Sequence, residues 1–130
     1  MRKQLLLGVA VLSALTLGGT AVAHEATYDS TITVHYANDE FAGQVNSTND
    51  KCEAGRTVKV FLVEGEEKTL VASDTTAEDG SYSIAYEDAA EGDYYARVTR
   101  EVLRKTSEHS HVCAADKSPT IPVSDPGPPA

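Results

Sequence analysis

Apolar residues recur at every second position along most of this chain, and this period constrains the fold more than any other feature. In residues 81–86, for example, Tyr82, Ile84 and Tyr86 alternate with small or polar residues. A period of two is typical of strands that bury one face and expose the other. Gly, Asp and Asn separate the runs, as turn residues do between strands. The sequence therefore predicts an all-β fold with little or no helix.

Seven runs of this kind predict seven strands. The run at 57–64 is apolar on both faces, which predicts a central strand. Pro119 and Pro122 have no N–H to donate, so we expect the last strand to lie at a sheet edge or to be broken. Seven short strands favour a seven-stranded antiparallel two-sheet sandwich of Ig-like architecture. The runs are residues 30–36, 40–46, 57–64, 69–75, 81–86, 93–104 and 111–123.

Residues 1–23 have the three parts of a secretory signal peptide. Arg2 and Lys3 are basic, residues 5–17 form an apolar run, and residues 21–23 are small. The 13-residue run is shorter than the roughly 20 residues that span a bilayer, so we expect no membrane span after cleavage. The mature chain would begin at His24 and would be secreted or held in the cell envelope. We expect one domain over residues 24–124 and a disordered Pro-rich tail at 125–130.

Acidic residues outnumber basic ones, 20 to 11, for a net charge of -9. Loss of Arg2 and Lys3 with the signal makes the mature chain more acidic still. Such a polyanion is not expected to bind nucleic acid or an anionic membrane. The hydrophobic content of 41% allows a small core, which argues against disorder of the whole chain.

Two cysteines, Cys52 and Cys113, allow one pairing. In an oxidising compartment such an isolated pair is most simply a structural disulfide. Closing this loop removes chain entropy worth about 4 kcal/mol in the simplest model. A redox-active pair would have its thiols close in sequence, which these are not.

A family resemblance is carried by three segments: Cys52-Glu-Ala-Gly-Arg56-Thr-Val-Lys-Val-Phe61, Ser73-Asp-Thr-Thr76-Ala-Glu-Asp-Gly80-Ser-Tyr82 and Gly92-Asp-Tyr-Tyr95-Ala-Arg-Val98. They resemble the prealbumin-like, or transthyretin-like, sandwich, a superfamily that includes the carboxypeptidase regulatory-like domains. More closely, the chain is similar to small secreted bacterial proteins of this fold that have two cysteines and no assigned activity. The resemblance covers residues 31–123 and implies a fold more than a function.

One group of enzymes in this superfamily hydrolyses a ureide intermediate of urate breakdown and ends in Tyr-Arg-Gly-Ser. This chain ends in Gly127-Pro-Pro-Ala130. The resemblance therefore does not imply that activity.

Three histidines, His24, His109 and His111, are the candidate metal ligands. Signal cleavage would give His24 a free α-amine, and small exported sandwich proteins that bind copper use an N-terminal histidine together with a later one. In an extended segment, His109 and His111 lie on one side and within reach of one ion. Imidazole suits Cu(II) or Zn(II). The alternative is that all three are solvated loop histidines, with no cofactor at all.

Asp79-Gly80 predicts a tight hairpin turn, because Gly tolerates a positive φ. A calcium loop is the alternative interpretation of this segment. Its register fails, because Gly80 at the sixth loop position puts Thr75 first and Ala77 third, where oxygen ligands are needed.

Asn46-Ser47-Thr48 matches the N-glycosylation pattern, which matters only in a host with that pathway.

The sequence contains none of the common hydrolase, metalloprotease or nucleotide-binding motifs. Its acidic clusters are expected to be solvated charge at strand ends, although paired carboxylates could do acid and base work in a cleft. We therefore expect no enzyme. The clusters comprise Glu64, Glu66 and Glu67, and Glu87, Asp88, Glu91 and Asp93.

The leading expectation is a secreted, non-catalytic structural or interaction module. Its partner would be an envelope or extracellular protein or a carbohydrate, and the sequence leaves the partner and the oligomeric state open. The first alternative is the metal binder described above. The second is a carbohydrate-binding module in which Tyr28, Tyr86 or Tyr95 stacks on sugar rings.

Overall fold

A computed structural model describes residues 24–105 and 109–124. The predicted signal peptide at 1–23 and the predicted tail at 125–130 lie outside the described residues. The described part is all-β, with twelve strands and a single 3₁₀ turn at Asp50–Cys52. None of its helical structure is long and apolar enough to cross a membrane. The strands are β1 (His24–Tyr28), β2 (Ser30–Ile32), β3 (His35–Ala37), β4 (Glu40–Ser47), β5 (Thr57–Glu64), β6 (Glu67–Thr75), β7 (Ser81–Ala85), β8 (Gly92–Val98), β9 (Glu101–Lys105), β10 (His109–Cys113), β11 (Asp116–Lys117) and β12 (Ile121–Val123).

The largest sheet has β5 in its interior. Its strand order is β11-β8-β5-β6. Strand β12 also pairs with β8, at residues 92–94, whereas β11 pairs with residues 97 and 98. The β5 strand is rich in β-branched residues, which fit a pleated, buried surface. The prediction of a central strand at 57–64 is therefore confirmed.

The second sheet is organised around β4, which pairs antiparallel with β2, β3 and β7. Buried side chains of this sheet and of the five-stranded sheet form one hydrophobic core. The rings of Phe41 on β4 and Tyr94 on β8 meet there with their centroids 5.1 Å apart. The period-two pattern therefore supplies one inward face for each sheet, as the sequence predicts. The core residues are Ile32, Phe41, Val45, Val58, Val60, Tyr82, Ile84, Tyr94, Ala96, Val98 and Val123.

A third sheet, with strand order β1-β10-β9, was not predicted. Its β1–β10 pair is parallel, which the antiparallel prediction did not include. The β10–β9 ladder shifts register between His111 and Val112, so Val112 and Cys113 are both buried. This sheet carries two of the three candidate metal ligands on one strand and the third on its neighbour.

Three of the seven predicted strands are divided in the structure. Run 30–36 forms β2 and β3, run 93–104 forms β8 and β9, and run 111–123 forms β10, β11 and β12. Val102 shows the consequence, because it is in phase with the core residues of β8 and yet 42% exposed on β9. Alternation alone continues through such breaks, so the sequence pattern could not reveal them.

The break after β2 has a local cause at Thr33. The Tyr82 hydroxyl donates a hydrogen bond to the Thr33 carbonyl, and the Thr33 hydroxyl accepts one from the Gln44 N–H at 3.1 Å. Gly43 lies against the same carbonyl, and a Cβ at this position would collide with it. Burial raises the pKa of Tyr82 above its ordinary value.

Asp79 and Gly80 lie in the turn between β6 and β7, but this turn does not close a hairpin. Strand β6 pairs with β5, and β7 pairs with β4, so the turn passes from one sheet to the other. Gly80 has a φ of 85°, and the Asp79 carboxylate accepts hydrogen bonds from the Ser81 N–H and hydroxyl at 2.9 and 2.6 Å. These bonds lower the pKa of Asp79. The Asp-Gly signal located a turn but not the partner of the next strand.

Candidate functional site

The predicted disulfide is present between Cys52, at the end of the 3₁₀ turn, and Cys113, at the end of β10. The two Cα atoms are 5.4 Å apart, within the usual range for such a bridge. Both residues are fully buried. The bridge therefore joins the third sheet to the segment that leads into β5.

Beside the disulfide lies Arg56, whose side chain has no exposed surface. Its Nη1 donates to the Ser30 hydroxyl at 3.0 Å and to the Cys52 carbonyl at 2.6 Å. Its Nη2 donates to the carbonyls of Thr99 and Ala114, both at 2.9 Å. We call Arg56 and these four partners the Arg56 junction. The junction joins β2, the 3₁₀ turn, the β8–β9 connection and the residue that follows β10.

The charge of Arg56 is balanced by Glu101 on β9. The guanidinium Nε makes no hydrogen bond and lies 3.5 Å from the Glu101 carboxylate. Burial lowers the pKa of Arg56, and the charge of Glu101 opposes this effect. The guanidinium stays protonated, because arginine does not deprotonate in proteins. A buried cation of this kind persists only when oxygen acceptors surround it, as they do here.

The backbone of Arg56 is held as firmly as its side chain. Its N–H donates to the Thr76 hydroxyl at 2.8 Å, and its carbonyl accepts from the Thr76 N–H at 2.9 Å. The Thr76 hydroxyl in turn donates to the Glu53 carbonyl. Apart from the guanidinium Nε, the buried polar atoms at this place therefore hydrogen-bond to one another and to the backbone.

Sequence reasoning missed the role of Arg56, although a signal was present. Arg56 is in phase with Val58 and Val60, which both point into the core. A charged residue at an inward position, four residues after a cysteine, indicates a buried structural cation. The resemblance segment contained this arginine without singling it out.

The candidate metal ligands lie on the parallel pair β1–β10. His24 is the register partner of His109, and Ala26 is the partner of His111. Register partners in a ladder lie on the same side of the sheet, so the backbone puts the three histidines on one face. The side chain of His24 lies outside the described part of the structure. Among the side chains that are described, no group of three metal-ligating residues occurs.

A pocket of about 370 Å³ opens beside His111, lined also by Tyr28, Asn49, Lys51 and Leu103. The Tyr28 hydroxyl lies 3.4 Å from His111 Nδ1, and the two rings stack with centroids 6.0 Å apart. His111 is half-buried and His109 is exposed. His111 is thus a structured residue rather than one in a loop.

A second pocket, of about 260 Å³, is lined by acidic residues. Asp39, Asp88 and Glu91 surround it together with Tyr36 and Val123. Asp39 and Asp88 have φ angles of 58° and 54°, so tight turns present these carboxylates. Two members of a predicted acidic cluster, Asp88 and Glu91, therefore lie with Asp39 around a concave surface. Glu64 and Glu67, from the other cluster, face each other at the β5–β6 turn.

None of the three tyrosines considered for sugar stacking is fully exposed. Tyr28 and Tyr86 are half-buried, and Tyr95 is 9% exposed. Tyr28 stacks on His111, Tyr86 packs on Phe41, and Tyr95 stacks on Phe61. The rings are thus occupied in contacts within the protein.

Comparison with known proteins gave no match to a protein-family model, to a curated protein or to a solved structure.

Replacing Arg56 with methionine tests whether the junction is structural. Arg56→Met leaves the carbonyls of Cys52, Thr99 and Ala114 without their donors, and we expect a loss of about 3–5 kcal/mol in the free energy of unfolding. Urea denaturation of the disulfide-bonded protein measures this loss. The exposed Arg100→Met is the matched control and should change stability by less than about 0.5 kcal/mol. An Arg56→Met protein as stable as the wild type would contradict the structural role.

Proposed function

We propose that the mature chain is an exported, non-catalytic domain of the prealbumin-like sandwich type that serves as a structural or interaction module. The observation that carries this proposal is the Arg56 junction, in which a buried cation and the polar groups around it bond to one another and to backbone. Catalytic sites instead hold polar groups poised toward a cleft. The shared core of the four-stranded and five-stranded sheets supports the sandwich assignment.

The disulfide supports the extracytoplasmic part of the proposal. Disulfides form and persist in oxidising compartments, and this bridge is fully buried beside the junction. Together with the signal-like residues 1–23, it favours function in the envelope or outside the cell.

A substrate screen tests the non-catalytic role. The chain from His24 onward is incubated with ester, glycoside, peptide and phosphomonoester substrates, and we expect rates equal to those of a heat-unfolded control. The acid-lined pocket is the place where activity is tested by substitution. Asp88→Asn and Glu91→Gln remove its charges, and Asn tolerates the left-handed backbone at position 88. Turnover that these changes abolish, while the control Glu66→Gln retains it, would contradict the proposal.

The second candidate function is binding of Cu(II) or Zn(II) by His24, His109 and His111. The specific observation in its favour is the β1–β10 register, which pairs His24 with His109 and places His111 two residues further along the same strand. A free α-amine at His24 would add a fourth nitrogen donor. These donors suit the two metals.

Calorimetric titration of the dialysed mature chain with each metal tests this candidate. We expect uptake of one ion at micromolar concentration, weakened at least about tenfold by His109→Ala and by His111→Ala, since ligand loss removes a direct metal bond. His35→Ala, on β3 of another sheet, is the matched control. An added alanine before His24 should also weaken uptake by blocking the amine. The site would be excluded by no uptake, or by an uptake that His35→Ala weakens as much as His109→Ala and His111→Ala do.

A further inference from the structure

The outer face of the five-stranded sheet carries a row of positive charges. Lys117 on β11 is the register partner of Arg97 on β8, and Arg97 is the partner of Lys59 on β5. Neighbouring strands lie about 4.8 Å apart, so the three cations form a short row across the sheet. Arg97 and Lys117 are exposed, and Lys59 is half-buried.

Tyr95 lies beside this row and holds two ammonium groups above its ring. The Nζ atoms of Lys68 and Lys117 are 5.7 and 5.9 Å from the ring centroid, within the range of cation–π attraction. The ring also stacks on Phe61, with centroids 5.2 Å apart. Tyr95 thereby fixes a fourth cation, Lys68, close to the row. We call Lys59, Lys68, Arg97 and Lys117 the cationic face.

A depression of about 400 Å³ lies on this face, lined by Tyr95 and by three of its cations. Phe61 and its register partner Leu70, which is 49% exposed, supply apolar surface alongside. The surface therefore combines separate positive charges with an apolar strip.

The cationic face is not neutralised by nearby carboxylates. Among the side chains that the structure describes, no carboxylate lies within ion-pair distance of these four cations, and the Arg56–Glu101 pair lies away from them. Asp116 also borders the depression, but its carboxylate accepts a hydrogen bond from the Ile32 N–H of the other sheet at 3.2 Å. Asp93 is the nearest acid on β8, two residues from Tyr95. An anionic partner would therefore meet at least four cations not already paired to carboxylates in the described part.

We propose that the cationic face binds a linear acidic polysaccharide whose sugar rings carry carboxylates. The main-chain hydrogen bonds of β5 and β8 are used within the sheet, so a partner on this face meets side chains. Lysine and arginine donate charge-assisted hydrogen bonds to carboxylates, and Phe61 and Leu70 contact the apolar edges of the sugar rings. This inference rests on the proposed function, because it places the domain where such polymers occur.

Binding to polygalacturonate at low salt tests the inference with the chain from His24 onward. Compared with wild type, the variant Lys59→Gln/Arg97→Gln/Lys117→Gln should bind at least about tenfold more weakly, since each exposed charge contributes a small increment. The matched control Lys51→Gln/Arg100→Gln removes two exposed cations outside the sheet and should bind as wild type does. Thermal unfolding shows that all variants are folded. Affinity should fall steadily as salt rises.

Two variants at Tyr95 test whether its ring positions Lys68 and Lys117 for binding, since neither variant changes the net charge of the protein. Tyr95→Phe keeps the aromatic ring and should retain binding, whereas Tyr95→Leu removes the cation–π contacts and should weaken it about threefold or more. Equal binding by both variants would overturn the part assigned to Tyr95.

Three results would overturn the assignment of the partner. Equal binding of fully methyl-esterified polygalacturonate would show that carboxylate charge is not recognised. Equal or tighter binding of poly-L-glutamate would assign the face to acidic peptides. Self-association that the triple variant abolishes would assign it to a second copy of the chain. None of these results would produce turnover in the substrate screen, so failure here is distinguishable from failure of the proposed function.

Discussion

The guanidinium of Arg56 is the interaction on which the architecture depends. It is fully buried and bonds to oxygens from four separate segments of the chain, and Glu101 supplies the opposing charge. The Cys52–Cys113 bridge lies within the same region, since the Cys52 carbonyl and the carbonyl after Cys113 both accept from Arg56. A covalent link and a buried cation thus hold the third sheet against the strands that form the core. The four segments that meet at Arg56 are therefore held by contacts far apart in sequence.

Net charge describes this protein poorly, because the charges are unevenly placed. The chain is acidic overall, and Asp39, Asp88 and Glu91 gather at one pocket, while four cations share the outer face of the five-stranded sheet. The sequence argument from net charge spoke against nucleic acid and anionic membranes as partners. Net charge does not show where the charges lie: Lys59 and Arg97 are opposite in register and on the outward phase of their strands. Local potential, rather than the total, decides which partner a surface attracts.

Local patterns predicted the all-β class, the central position of residues 57–64, the inward faces of β4, β5, β7 and β8, and the disulfide. They failed where long-range contacts decide the structure. Thr33 ends β2 because Gly43 and Tyr82 meet its carbonyl, and Asp79-Gly80 turns between sheets because β6 and β7 have different partners. The parallel β1–β10 pair joins segments more than 80 residues apart, and no short-range signal encodes such a pairing. For the candidate site, the histidines were visible in the sequence, but their register was not.

Native-state hydrogen exchange of an Arg56→Lys variant tests most directly whether one side chain holds these segments together. Lysine keeps the charge but cannot form the four-bond fork. The account predicts that four amides lose protection together: those of Cys52, Thr99 and Ala114, whose carbonyls accept from Arg56, and that of Thr76, which donates to the Arg56 carbonyl. The Tyr86 amide, bonded to Asp39, should lose less. Loss of protection confined to Thr76, the amide bonded to Arg56 itself, would contradict the account.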